Sequence, residues 1–288
     1  MRLLRTAPAP HWYTTRDEAS PLGLELTYLG TAGFLLRAAC GHVIALDPFV
    51  TRPKLRTLLL GKRLLPDEAL IGKTIAQAHD VFVGHAHYDH VLDAPSLCRQ
   101  TGARLVGSRA VCMVGRACGL PEEQLLETSG RSDIASGPFT VRGVPSRHGK
   151  VFAGRVIFPG DIEQPPPWPP RASDLKHGLV LNWHVQLEGF SLLHVDSADF
   201  VNEELSGMQA DLVCLCAAGY RARPNYVRDA AQRLKPKWIM PCHWDTMTTP
   251  LHAPPRLLPG LRLGQMLREI REAGCEPLLT PFLTRQRF

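Results

Sequence analysis

His85-Ala86-His87-Tyr88-Asp89-His90 sets four metal-competent side chains within six residues, directly after the apolar run Asp80-Val81-Phe82-Val83-Gly84. That run reads as a buried strand ending in a glycine. In an extended or gently curved backbone, His85 and His87 point to the same side. A turn after them can carry Asp89 and His90 to a second position nearby. This is how a chain builds a two-metal site, with ions about 3.5–4 Å apart sharing a bridging hydroxide. A surface loop holding a few histidines is the plainer account, and the order strand-then-motif weighs against it.

One cluster cannot close two coordination shells, so further donors must come from elsewhere in the chain. Zinc takes nitrogen and oxygen ligands at roughly 2.0–2.2 Å. Three later residues qualify, each at the end of an apolar segment. His148 closes Val144-Pro145-Ser146-Arg147, Asp196 follows Phe190-Ser191-Leu192-Leu193-His194-Val195, and His243 follows Trp238-Ile239-Met240-Pro241-Cys242.

These seven residues, in type, order and placement, resemble the metallo-β-lactamase superfamily, whose sites carry an H-x-H-x-D-H motif, then a lone His, an Asp and a final His. The resemblance implies that His85, His87 and His148 hold a first metal, that Asp89, His90 and His243 hold a second, and that Asp196 bridges the two. It implies two divalent ions, zinc first, with manganese or iron as alternatives. Asp89 is the catalytic residue expected to orient the hydroxide and pass a proton to the leaving group. His11, His42, His79, His177, His184, His194 and His252 have no place in the motif and are expected at the surface or as satisfied core residues.

The resemblance covers most of the chain. Leu26 to Leu36 looks like the fold's opening hairpin, with Gly30-Thr31-Ala32-Gly33 as its tight turn. His42 to Phe49 looks like the next strand, ending in Asp47-Pro48. Asp47 is expected to orient metal ligands through hydrogen bonds. Asp93 either does the same or caps the helix that follows. Helical patterns run over Ala94 to Gln100, Arg109 to Cys118, Tyr226 to Leu234 and Leu263 to Ala273. Strands in two runs with helices outside each imply an α+β fold, a four-layer αββα sandwich, as a single domain over 1–288.

Composition sets the remaining bounds. Of 288 residues 44% are apolar, enough for a large core. Only Leu3-Leu4 separates Arg2 from Arg5, too short for a signal peptide, and no run nears the roughly 20 apolar residues of a membrane span. Eight cysteines without a C-x-x-C pair suit buried free thiols and a cytoplasmic setting. Cys242, beside His243, should face away from the donors, because neighbouring strand residues alternate.

The net charge of +6 raises nucleic acid as a partner. Scattered basic residues and 7% aromatics, without a basic stripe, argue against it. Tyr220, Arg221 and Arg223 are candidate substrate-binding residues, with Arg147 and Lys150 beside His148 as further anion contacts. Pro165-Pro166-Pro167-Trp168-Pro169-Pro170 marks a proline-stiffened lid at about 159–177, with Trp168 as its apolar surface. The basic and apolar stretch Lys54 to Leu65 is simplest as a lid or core helix, with a lipid-facing or dimer-forming helix as the alternative. A homo-oligomer is compatible with the chain.

Within the superfamily, His87-Tyr88-Asp89-His90 and Ala218-Gly219-Tyr220-Arg221-Ala222-Arg223-Pro224 are similar to the branch holding L-ascorbate-6-phosphate lactonase and the N-acyl-phosphatidylethanolamine-hydrolysing phospholipase D. The implied activity is hydrolysis of a phosphodiester, lactone or related ester in a small or lipid-like substrate. Two rivals stand beside it: a di-iron redox enzyme on the same scaffold, and a metal-free binding protein. Such di-iron proteins often carry a carboxylate in place of the motif's second histidine, whereas His87 is histidine.

Overall fold

The computed structural model describes residues 7–16, 22–151 and 154–288. The Arg2-to-Arg5 stretch lies outside them. Strands β1 (Glu25–Gly30), β2 (Gly33–Arg37), β3 (Val43–Leu46), β4 (Asp80–Phe82), β5 (Arg104–Gly107) and β6 (Leu125–Glu127) form one sheet in chain order. A second sheet holds β7 (Asp133–Ser136), β8 (Phe139–Ser146), β9 (Val180–Leu187), β10 (Phe190–Val195), β11 (Leu212–Cys216), β12 (Trp238–Cys242) and β13 (Glu276–Pro277). Strand β14 (Arg285–Arg287) returns to the first sheet and pairs with β1.

The layering follows from the pairing. Strands β3 to β6 are mutually parallel, as are β10 to β13. Parallel neighbours need long crossovers, usually helical, and these bury the outer face of a sheet. Helices α2 (Glu68–Thr74), α4 (Ala94–Thr101) and α5 (Arg109–Ala117) serve the first sheet; α6 (Tyr226–Leu234) and α7 (Leu263–Glu272) serve the second. The result is the four-layer αββα sandwich that the resemblance implies.

Strand β4 shows how alternation fills both sides. Phe82 points between the sheets, its ring 5.1 Å from that of Trp183. Val81 points outward into a separate apolar cluster with Ile71, Leu97 and Val111 from the covering helices. Both clusters are apolar, so β4 reads as a continuous apolar run. The parallel strands end on one edge of the sandwich, and open α/β sheets place their sites at such carboxyl ends.

One segment differs from expectation. Helix α1 (Leu55–Leu59) is a five-residue turn of helix, too short for a core helix, and it buries none of its own residues fully. The 159–177 segment, expected as a proline-stiffened lid, is seated closely on the body of the protein. Ile162 and Leu175 are buried, Pro170 accepts a hydrogen bond from Leu64 N–H at 2.7 Å, and Trp168 packs half-buried against the Phe49–Leu64–Leu92 cluster.

Candidate metal centre

Every candidate donor stands where a strand has just ended. Strand β4 runs through Val83 and Gly84 into His85 and His87, and the single turn α3 (Tyr88–Val91) carries Asp89 and His90. His148 follows β8, Asp196 follows β10, and His243 follows β12. Gly84 suits this junction because a Cβ there would lie 2.2 Å from Asp196 Oδ2. Its N–H donates to Asp47 Oδ1 at 2.7 Å, and its carbonyl accepts from Leu181 N–H of the second sheet at 2.8 Å. His243 sits at φ +54, a conformation that costs a side-chain-bearing residue on the order of 1 kcal/mol or more. Its N–H donates to the Thr31 carbonyl at 2.5 Å, which holds the strained turn against the first hairpin.

The seven side chains converge as three overlapping groups: His85 with His87 and His148, His85 with His90 and Asp196, and Asp89 with His90 and His243. Within each, the potential ligand atoms lie within 4.8 Å of one another. His85 Nδ1 is 2.5 Å from Asp196 Oδ2, His85 Nε2 is 3.0 Å from His87 Nδ1, and His243 Nε2 is 3.1 Å from Asp89 Oδ2. All are buried except the half-buried His148.

These residues fit divalent ions. Asp196 Oδ1 and His243 Nδ1 are buried without a hydrogen-bond partner, a costly state for polar atoms unless something else engages them. The nitrogen and oxygen donor set suits zinc, manganese or iron. Neighbours orient the rings: Asp47 Oδ2 lies 2.7 Å from His90 Nδ1, and the Gly149 carbonyl 2.7 Å from His148 Nδ1. Both contacts leave Nε2 free to coordinate.

Electrostatics prepare the donors. Burial, reinforced by neighbouring imidazoles, pushes His85 and His90 well below the ordinary histidine range and His148 down to about 4. Near neutral pH these rings are therefore uncharged, the form that binds metal. Burial alone would raise the Asp89 pKa, but His90 and the hydrogen bond from His243 outweigh it and hold the carboxyl well below its usual range. Burial raises Asp196, and burial with the charge of Asp196 raises Asp47 well above its usual value. Cations between such carboxylates would relieve that repulsion.

His177, outside the motif, also reaches the centre. Its ring stacks on His148 at 5.7 Å between centroids and stands edge-on to His87 at 5.8 Å. It arrives at the end of the proline-rich segment, and no local signal in the sequence marks it. His194 and His184 lie outside all three donor groups. His194 is buried against Phe34, and His184 Nε2 is 3.1 Å from the Gln209 carbonyl. Cys242 is buried in the apolar core and belongs to none of the donor groups.

The substrate candidates separate. Arg223 is bound to Asp199 at 2.5 Å, to the Phe200 carbonyl and to Asn202, with its guanidinium 3.9 Å above the Phe200 ring. That makes it a loop brace, a correction to its reading as a free anion contact. Tyr220 is buried, and its hydroxyl reaches the Arg262 carbonyl at 3.5 Å, so it too is packed into the scaffold. Arg221 is exposed, as are Arg147 and Lys150. Gly219 brings the Arg221 turn against the His148 loop: a Cβ on it would meet the Lys150 carbonyl at 2.4 Å. Asp93 neither caps its helix nor touches a donor. It accepts from Val50 N–H at 2.6 Å, Thr51 N–H at 2.8 Å and Thr51 Oγ1 at 2.5 Å, pinning the loop after β3.

A family model described as a β-lactamase superfamily domain matches residues 25–243, from the first strand to the last donor. The chain belongs to the metallo-β-lactamase superfamily. Relatives named UPF0173 metal-dependent hydrolase agree. One from Anaeromyxobacter dehalogenans is 25% identical over 262 residues, covering 87% of this chain and 85% of that protein. Another, from Myxococcus xanthus, is 28% identical over 226 residues, covering 77% and 71%. Among solved structures, the metallo hydrolase Igni18 from Ignicoccus hospitalis superposes with a TM-score of 0.57 at 16% identity, covering 92% of this chain and 99% of that one. CmlA, a diiron β-hydroxylase from Streptomyces venezuelae, superposes with a TM-score of 0.55 at 14% identity, covering 93% and 54%. These two likenesses speak for the fold. The protein is a metal-dependent hydrolase of this superfamily.

Proposed function

We propose that this hydrolase holds two divalent ions, zinc first, and cleaves a phosphodiester, lactone or related ester of a small or lipid-like substrate. The observation that carries the reading is the overlap of the donor groups. His85 belongs to the first and second groups and His90 to the second and third, so two neighbouring centres share the Asp196 region. His85, His87 and His148 would hold one ion, Asp89, His90 and His243 the other, with Asp196 between them. When bound, such ions lower the pKa of a shared water toward about 7 and polarise the oxygen that gains charge.

The chain's own groups do the rest. Asp89, kept ionised by His90 and His243, orients the attacking oxygen by accepting its hydrogen bond and can return a proton to the departing oxygen. Asp47 and Gly149 fix the donor rings, and the Phe158 carbonyl stands 3.4 Å from His87 Nε2. Arg221 would meet an anionic substrate group at the rim. No helix among the described residues is long and apolar enough to cross a membrane. The unpaired cysteines support a reducing, cytoplasmic setting.

A di-iron redox enzyme shares this scaffold, as CmlA shows for the fold, but an imidazole at His87 favours hydrolysis over iron–oxygen chemistry. Metal analysis of protein purified without added metal, with a turnover panel of phosphodiesters, lactones, thioesters and phospholipids, tests the proposal. Two zinc per chain with turnover of one ester class is expected, and His87→Ala should lose both while its core stays folded. Two irons with an oxygen-dependent spectrum and no hydrolysis would overturn it.

A further inference from the structure

Exposed leucines on this protein are concentrated. Six large apolar side chains stand exposed among the described residues, and four of them fall in one short segment: Leu55 at 57%, Leu59 at 76%, Leu60 at 66% and Leu65 at 68%. Scattered exposed leucines need no explanation, but a contiguous apolar patch does. The same segment carries Lys54, Arg56, Lys62 and Arg63, all exposed, and no acidic residue between Lys54 and Pro66.

The patch is built into the fold. Leu58 and Leu64 root it against Phe49 and Leu92. Leu64 N–H donates to the Pro170 carbonyl at 2.7 Å, and an Arg63 guanidinium N–H donates to the Pro169 carbonyl at 2.5 Å. It therefore presents its leucines without the entropy of ordering a loose loop. It also adjoins the metal centre: Phe158, which packs on the same cluster, offers its carbonyl 3.4 Å from His87 Nε2.

We propose that the 54–65 segment is a docking surface for an anionic lipid bilayer, its leucines entering the interface and its four cations meeting the headgroups. Charge selects this occupant over a second copy of the chain. A two-fold pairing through the patch would bring eight like charges together, whereas an anionic surface neutralises them. Apolar side chains interleaved with Lys and Arg are the pattern that binds such surfaces in the interfacial plane. Docking here does not depend on which bond the enzyme cuts, so vesicle binding and turnover can fail separately.

The test is co-sedimentation of the metal-loaded full chain with vesicles of phosphatidylcholine alone or mixed with an equal part of phosphatidylglycerol. The expected result is binding to the mixed vesicles only, weakened by salt. Leu59→Ser with Leu60→Ser should lower the partition about tenfold or more, and Lys54→Gln should lower it about fivefold. Each variant should keep the wild-type circular dichroism and metal content, and turnover of a water-soluble ester. Absence of binding to the mixed vesicles, equal binding of the leucine variant, or equal binding to pure phosphatidylcholine would overturn the proposal. So would a dimer, seen by sedimentation velocity, that Leu59→Asp dissociates while vesicles are ignored.

Discussion

At the scale of single residues, charge state divides labour among the aspartates. Asp89 is surrounded by imidazoles and held ionised, so Asp89→Asn keeps the shape but removes the charge and the proton acceptor. A fall in kcat of about 10²-fold or more is expected, with the first metal group still loaded. Excess zinc should restore occupancy without restoring rate; metal content and steady-state kinetics measured side by side decide it. Asp93 behaves in the opposite sense. Burial raises its pKa to about 6 despite three hydrogen bonds, so the folded protein binds a proton there that the unfolded chain releases near pH 4. Its contribution to stability is thus full below about pH 4 and lost as pH rises through about 6. Urea unfolding of wild type and Asp93→Asn at pH 5 and pH 7 should show the wild type gaining on the variant at the lower pH, by on the order of 1 kcal/mol.

At the scale of elements, the loops after β3 and β12 are locked by a pair far apart in sequence. Arg52 donates to Asp245 Oδ2 and Thr31 Oγ1, both at 2.7 Å, and Asp245 Oδ1 accepts from Thr31 N–H at 2.7 Å. Thr31 in turn receives the His243 N–H. Arg52→Met leaves the Asp245 carboxylate buried without its cation, which costs about 3–5 kcal/mol. It should also loosen His243, so the denaturation midpoint falls and the second ion is lost first. The two arginines of the 220–223 turn should part company as well. Arg221→Ala is expected to raise KM for an anionic substrate by roughly one to two decades while sparing a neutral ester. Arg223→Ala should lower stability and depress both activities alike, because its ion pair with Asp199 braces the turn.

What could be read from the sequence follows the same division. The convergence of the seven side chains was legible because each is local to a strand end and the first four share six residues. Helices α4, α5, α6 and α7 were legible to within a residue or so, since their apolar spacing is also local. The Arg52–Asp245 lock spans 193 residues and has no signature at either end. The same holds for His177, brought to His148 by the seating of the 159–177 segment, and for Arg223, which binds a loop 24 residues upstream. The leucines of 54–65 misled in the other direction. Their apolar character suggested burial, and only the tertiary fold leaves them outside.

At the scale of the whole molecule, stability and chemistry are stored in different places. The two larger apolar clusters lie between the sheets and under the helices, and the donors stand on the rim beyond the strand ends. Stripping metal with a chelator should therefore lower the melting temperature yet leave the far-ultraviolet spectrum and most tertiary packing unchanged. An unfolded stripped protein in that experiment would mean that the donors carry the core.

The donors are also split between the sheets: His85, His87, Asp89 and His90 hang from the first, and His148, Asp196 and His243 from the second. Loaded ions would thus act as a clasp across the sandwich, joining two units that could otherwise open one at a time. Amide hydrogen exchange should register the clasp as a change in cooperativity. With ions present, β4 and β10 should exchange through one shared opening; once stripped, they should exchange at separate free energies, each sheet on its own terms.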